Sequence, residues 1–166
     1  MADGSVMATF FDENREYVPL DKISPVMRQA QIAIEDNRFY SHGAIDLRGT
    51  MRALVSNMGG ASTQGGSTLT QQYVKQARIE MAVSAGDEEG VRSAQEQTVS
   101  RKLQELRYAI ALEHDLSKDQ ILERYLNIAY YGDGAYGVEA AAKHYFGVTA
   151  DKLDLGQAAM LAGLVQ

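Results

Sequence analysis

Apolar residues recur along most of this chain at intervals of three and four, the period of a helix face. Over 25–37, Met27, Ala30 and Ile34 share one face, and Ser24-Pro25 supplies an N-cap with proline at the first helical position. Asp46 can cap a second helix through about 58, in which Leu47, Met51, Leu54 and Val55 form a stripe with Arg48 and Arg52 beside it. Residues 59–66, rich in Gly, Ser, Thr and Gln, read as a loop. Ser67 is the expected cap of a third helix that reaches about Met81. The small, acidic stretch 82–97 reads as a surface loop or weak helix. Val99, Leu103, Leu106 and Ile110 give a long helix over 98–115 its predicted apolar stripe. Ser117 with Gln120 forms a capping box that opens a helix over 118–128. A turn over 130–134 and helices over 135–146 and 154–165 complete the series. Only 8–19, where Thr9, Phe10, Phe11, Tyr17 and Val18 alternate with polar residues, reads as a short strand or hairpin.

This pattern predicts one mainly α domain, and 166 residues are enough for a single core. Hydrophobic residues make up 45% of the chain, which excludes an acidic disordered segment. The net charge of −6 argues against a nucleic-acid partner. The absence of cysteine removes disulfides, Cys-ligated zinc and thiol nucleophiles. No apolar run approaches the roughly 20 residues that cross a bilayer, and residues 1–11 lack the basic start and apolar run of a signal peptide. The pattern at the far end stops inside an apolar helix, so a piece cut from a longer membrane-anchored chain is expected.

Three groups of residues can carry chemistry. Glu35 and Asp36 end an apolar helix and are followed by Phe39, Tyr40 and His42. A carboxylate among apolar and aromatic groups holds its proton to higher pH, which suits proton transfer, whereas the plain alternative is a solvated helix end. Gly65-Gly66-Ser67-Thr68 leads into a helix start whose free N–H groups favour anions, and Thr68, Gln72 and Lys75 line one face of it. Two donors and a cation there suit a diphosphate, and a Gly loop with a polar solvated face is an equal reading. The lysine does not follow the glycines directly, so this is not a P-loop. Lys102 and Glu105, three apart with Arg101 beside them, read on spacing alone as a surface ion-pair face. Tyr130, Tyr131, Tyr136, Tyr145 and Phe146 read as packing groups, and His42, His114 and His144 have no metal-ligand spacing.

In sequence these strings are far more specific than apart. Glu-Asp-x-x-Phe-x-x-His at 35–42, Gly-Gly-Ser-Thr-x-Thr-Gln-Gln at 65–72 and Arg-Lys-x-x-Glu at 101–105 resemble the peptidoglycan glycosyltransferase family. This is the lysozyme-like polymerase domain of class A penicillin-binding proteins and monofunctional transglycosylases. The resemblance continues through 117–127, Tyr131-Gly132, Gly134 to Gly137, Ala140-Ala141, Tyr145 to Gly147 and 157–163, covering about 20–166. It implies a lysozyme-like helical fold with a small membrane-facing jaw, for which the 47–58 helix is the candidate; an ordinary amphipathic core helix is the equal alternative. It also implies an inverting transfer that polymerises lipid II, a disaccharide-pentapeptide on undecaprenyl diphosphate. Glu35 matches the catalytic base and Glu105 the second essential carboxylate, which assists the leaving diphosphate directly or through a divalent cation. Ser67, Thr68, Gln72, Lys75, Arg101 and Lys102 match the donor-side binding set, and Asp36, Phe39 and His42 the residues that shape the cleft. The implied cofactor is a divalent cation (Mg or Mn) near Glu105 or Glu35, with no organic cofactor. The implied partners are lipid II, the growing glycan strand, the outer face of the cytoplasmic membrane, moenomycin-type phosphoglycolipid inhibitors and other cell-wall synthesis and division proteins.

Two departures stand out. The family pattern expects an arginine about two turns before the second glutamate, where this chain has Gln97, with Arg101 and Arg92 as substitutes. The 82–97 segment lengthens the interval between Lys75 and Arg101 like an insertion. Two other readings stay open: a lysozyme-like glycan hydrolase, for which a diphosphate site has no use, and a non-catalytic membrane scaffold, which needs neither glutamate.

Overall fold

The computed structural model describes residues 14–46, 66–96 and 98–165. The predicted 47–58 helix, most of the glycine-rich stretch, Gln97 and the extended residues before 14 lie outside these.

The described residues are mainly helical. They comprise α1 (Pro25–Glu35), α2 (Leu69–Ser84), α3 (Glu88–Gln95), α4 (Val99–Asp115), α5 (Lys118–Ile128), α6 (Val138–Phe146) and α7 (Leu155–Leu164), with short 3-10 turns at Leu20–Lys22, Phe39–Ser41 and Ala150–Lys152. The strands β1 (Asn14–Arg15) and β2 (Ala135–Tyr136) pair in parallel, Asn14 opposite Ala135 and Arg15 opposite Tyr136. Helix α2 packs against α3, α4 and α5, while α1 lies along α7.

The core forms where helical period and burial agree. In α5, Ile121, Leu122, Tyr125 and Leu126 are all fully buried, at the one-and-four spacing of an inward face. Each contributes about 1.5–3 kcal/mol of burial. Met27, Phe39, Leu69, Tyr131 and Leu161 close around them. The Ser117–Gln120 capping box is present, and Asp154 with Gln157 makes a second one at the start of α7. Asn127 ties the N-terminal segment to α5: Oδ1 accepts from Val18 N at 2.8 Å, and Nδ2 donates to Val18 O at 2.8 Å.

Several elements differ from the sequence reading, each for a local reason. Ser24 does not cap α1; its hydroxyl donates to Leu153 O at 2.8 Å and ties the helix start to the chain before α7. The cap of α2 is Thr68 rather than Ser67, because Thr68 has the extended backbone a cap needs and its hydroxyl accepts from Gln71 N. Helix α2 runs past Met81 to Ser84, since nothing breaks it before Gly86, whose φ is +67°. Of the 82–97 stretch, read as a surface loop or weak helix, the described residues 82–96 hold the end of α2, a turn at Gly86 and helix α3, so the helical alternative is the one found. Asp87 caps α3 at Gly90 N, Glu88 and Glu89 sit at its positive end, and Ala94 is buried. In α4 three of the four residues of the predicted stripe face outward: Val99 is 79% exposed, Leu103 53% and Ile110 51%, whereas Leu106 is half-buried and Glu105 and Ala109 are buried. Helix α6 begins at Val138, because Ala135 and Tyr136 are extended and Gly137 turns the chain at φ +82°. A Cβ on Gly137 would stand 2.8 Å from Asn127 O, so both the angle and the space require glycine. Among the described residues no helix is long and apolar enough to cross a membrane.

Candidate active site

Glu35 is the last residue of α1, and the two acids there part ways at once. The backbone of Asp36 is extended, so its carboxylate leaves the helix axis. Asp36 Oδ2 accepts from Leu69 N, the first residue of α2, at 3.1 Å, and Oδ1 meets His42 Nε2 at 2.6 Å. The other ring nitrogen of His42 lies 2.6 Å from Gly43 O. Asp36 is therefore a buried clamp between the end of α1 and the start of α2, and His42 steadies it. Phe39 is fully buried beneath them, with Lys118 Nζ 4.5 Å from its ring centroid.

Glu35 is half-buried. Its Oε2 accepts from Gln72 Nε2, one turn into α2, and its Oε1 is shut off from solvent with no hydrogen-bond partner among the described residues. Burial pushes its carboxyl above the usual range; the Gln72 hydrogen bond pulls it down, and the charge of Asp36 raises it further. A carboxylate so placed is a proton acceptor held in one orientation.

Glu105 is 1% exposed, and its surroundings are the opposite. Arg101, one turn earlier, pairs with Oε1, and Lys102 Nζ lies 3.2 Å from Oε2. Lys102 also donates to Ser67 Oγ at 2.6 Å, which carries the group across to the approach to α2. The surface ion-pair reading of these three residues is thus corrected, because the acid is buried and the two cations are what it holds. The start of α2 stands between the two glutamates, joined to Glu35 through Gln72 and to Glu105 through Ser67 and Lys102.

The remaining predicted residues divide. Thr68 is buried and its hydroxyl is used twice, accepting from Gln71 N and donating to Ala44 O at 3.2 Å, so it builds the helix start rather than presenting a donor. Lys75 is exposed, one turn beyond Gln72 on the same face. Arg101 is the arginine beside Glu105, whereas Arg92 is exposed on α3, 3.7 Å from Glu88. Sequence reasoning missed Gln31, one turn before Glu35, which is fully buried with neither amide atom partnered among the described residues. A polar residue on the Met27 face of α1 was the available signal.

A divalent cation does not fit Glu105 as it stands, since both its oxygens already face cationic side chains. Asp36, His42 and Asp46 have ligand atoms within 4.8 Å of one another. There, however, Asp46 pairs with Arg38, and Asp36 is taken by Leu69 N and His42.

The transglycosylase family model matches residues 3–166. Penicillin-binding protein 2D of Bacillus subtilis is 41% identical over 165 residues, 98% of this chain and 22% of the relative. Penicillin-binding protein 1A of Escherichia coli is 43% identical over 164 residues, 98% of this chain and 18% of the relative. Penicillin-binding protein 1A of Mycolicibacterium smegmatis is 42% identical over 168 residues, 99% of this chain and 20% of the relative. The chain thus spans about a fifth of the length of these relatives.

Proposed function

The chain belongs to the transglycosylase family, and from that premise we propose that it is a peptidoglycan glycosyltransferase that extends glycan strands from lipid II. The observation that carries this reading is the start of α2, set between a shielded glutamate and a glutamate that holds two cations.

Glu35 is the base. It takes the proton of the acceptor sugar's 4-hydroxyl as that oxygen bonds to the donor's anomeric carbon. The bond from that carbon to the diphosphate breaks, its electron pair leaves with undecaprenyl diphosphate, and the configuration inverts. Negative charge grows on the departing diphosphate, so stabilisation there lowers the barrier most. Lys75 and Lys102 are the exposed or half-exposed cations beside the start of α2, and Lys102 is positioned by Ser67 and Glu105. Glu105 acts in this reading by holding Arg101 and Lys102 in place. No step is assigned to a divalent cation, because the oxygens of Glu105 are already occupied by those two side chains. The work site is the outer face of the cytoplasmic membrane, where the lipid-borne substrate lies, and a moenomycin-type phosphoglycolipid would compete for the same cations.

The test is polymerisation of lipid II in detergent by the wild type, Glu35→Gln and Glu105→Gln. A ladder of glycan strands that disappears in both variants is expected. Release of short sugars from preformed strands without any ladder would favour the hydrolase instead. A folded wild type that makes no polymer yet binds moenomycin would favour the scaffold.

A further inference from the structure

Five buried side-chain atoms without a hydrogen-bond partner among the described residues belong to Glu35 and three other residues. They are Glu35 Oε1, both amide atoms of Gln31, and the hydroxyls of Tyr125 and Tyr131. Gln31, Tyr125 and Tyr131 are fully buried. Gln31 lies one turn before Glu35 on the same face of α1. Tyr125 comes from α5, and Tyr131 from the turn after it. The negative charge of Glu35 reaches both hydroxyls and raises their pKa values, behind the larger effect of burial. An unpaired buried polar group is costly. Phenylalanine would fill the space of either tyrosine, as Phe39 does in the same core. Donors without acceptors thus stand around an acceptor without a donor.

We propose that Gln31, Tyr125 and Tyr131 are positioning residues for Glu35, their donors serving Oε1 through bridging water and so fixing the carboxylate that takes the substrate's proton. This inference rests on the reading of Glu35 as the base. Oε2 accepts from Gln72, and Oε1, without a partner among the described residues, is the oxygen left for the three donors to serve. Other groups among the described residues bear on Glu35. Asp36 follows it on the chain, with His42 on Asp36; α2 offers the neutral Gln72; and α7, packed along α1, has no ionisable residue. A hydroxyl that donates to a carboxylate favours the ionised form. Its removal leaves Glu35 protonated to higher pH.

The experiment follows the carboxyl carbon of Glu35 by carbon-13 NMR across a pH titration, in the whole chain and without substrate. Wild type is compared with Tyr125→Phe, Tyr131→Phe and Gln31→Met, with melting curves to confirm folding. The titration midpoint should rise by about half a pH unit or more in at least one tyrosine variant. The acidic limb of kcat/KM should move by the same amount, with KM unchanged. If a tyrosine variant fails to fold, the other variants are read by the same criterion. A midpoint within about 0.2 of wild type in every folded variant overturns the proposal. The titration needs no substrate, so an inactive wild type would count against the polymerase reading alone.

Discussion

The two glutamates can be told apart by stability as well as by rate. Replacing Glu105 by Gln removes the charge between Arg101 and Lys102 in a site that is 1% exposed. Breaking a buried pair from one side costs about 3–5 kcal/mol. Here the loss is smaller. Arg101 keeps the Glu96 carbonyl as an acceptor, and the Lys102 side chain, 44% exposed, can turn toward water. About 2 kcal/mol is then lost, or about 4–8 °C of melting temperature for a chain of this size. Glu35→Gln has the opposite sign. The folded-state pKa of Glu35 lies above its ordinary value of 4.5, so the native chain binds this proton more tightly than the unfolded one does. Stability therefore falls as pH rises from 4.5 through the folded-state value, and above that value the wild type bears the cost of an ionised, half-buried carboxylate. Glutamine avoids it. Glu35→Gln should melt at or above the wild-type temperature at pH 7, and the difference should close below pH 4.5. Both variants should lose polymerisation, Glu35→Gln by about 10²–10⁴-fold as expected for a missing base. Thermal melts by circular dichroism at pH 4 and 7, beside a lipid II polymerisation assay, give all the numbers. A Glu35→Gln protein that melts several degrees low at pH 7, or a Glu105→Gln protein as stable as wild type, would refute the assignment of environments.

The hydrogen bond from Gln72 favours the ionised form of Glu35, so Gln72→Leu should move the acidic limb of the kcat/KM profile to higher pH. An unmoved limb would remove Gln72 from the base's control. Lys75 is exposed and one turn from Gln72, so Lys75→Ala should raise KM for lipid II by about tenfold while leaving the melting temperature within about 2 °C of wild type. Gly137→Ala combines a φ of +82° with a Cβ 2.8 Å from Asn127 O and should cost about 3 kcal/mol by chemical denaturation. Gly147→Ala, with φ +65° and open space around it, should cost only about 1 kcal/mol.

What was legible in the sequence follows from which forces are local. The helices α5 and α7 could be read because their caps and inward faces lie within a few residues: Ser117 with Gln120, Ile121 with Leu122 and Tyr125, Asp154 with Leu161. The face of α4 could not. Period alone puts Val99, Leu103 and Ile110 inside, but the buried face is chosen by Ala109 against α2 and by the partners Glu105 brings with it. Helix α3 could be read only as a loop or weak helix, since it rests on the Asp87 cap and the buried Ala94 rather than on an apolar stripe. Strand β2 is two residues long and is defined by a partner some 120 positions away. At the site, Glu35, Gln72, Ser67, Lys102 and Glu105 were named by their motifs, and the structure links them in two connected groups. Thr68 proves to cap α2, a role that a ligand donor at the same position resembles in sequence. Gln31, Tyr125 and Tyr131 look like packing residues until their polar atoms are seen to be buried.

The arrangement also explains why acids of similar chemistry can sit so near one another in function. Glu35 is half-buried beside the charge of Asp36, which favours proton uptake against the pull of its one neutral donor on Oε2. Glu105 has an arginine on one oxygen and a lysine near the other, which favours its use as an anchor for positive charge. Both depend on where α2 begins. Asp36 fixes that point by accepting from Leu69 N; Gln72 then reaches Glu35, and Ser67, just before the cap, reaches Lys102. A shift of the α2 start would therefore loosen the base and the cations together. Asp36 is next to Glu35 in sequence but serves as the register pin of that helix, and this accounts for two adjacent acids at the unfavourable end of α1: Glu35 is addressed by Gln72, and Asp36 holds in place the helix that carries Gln72.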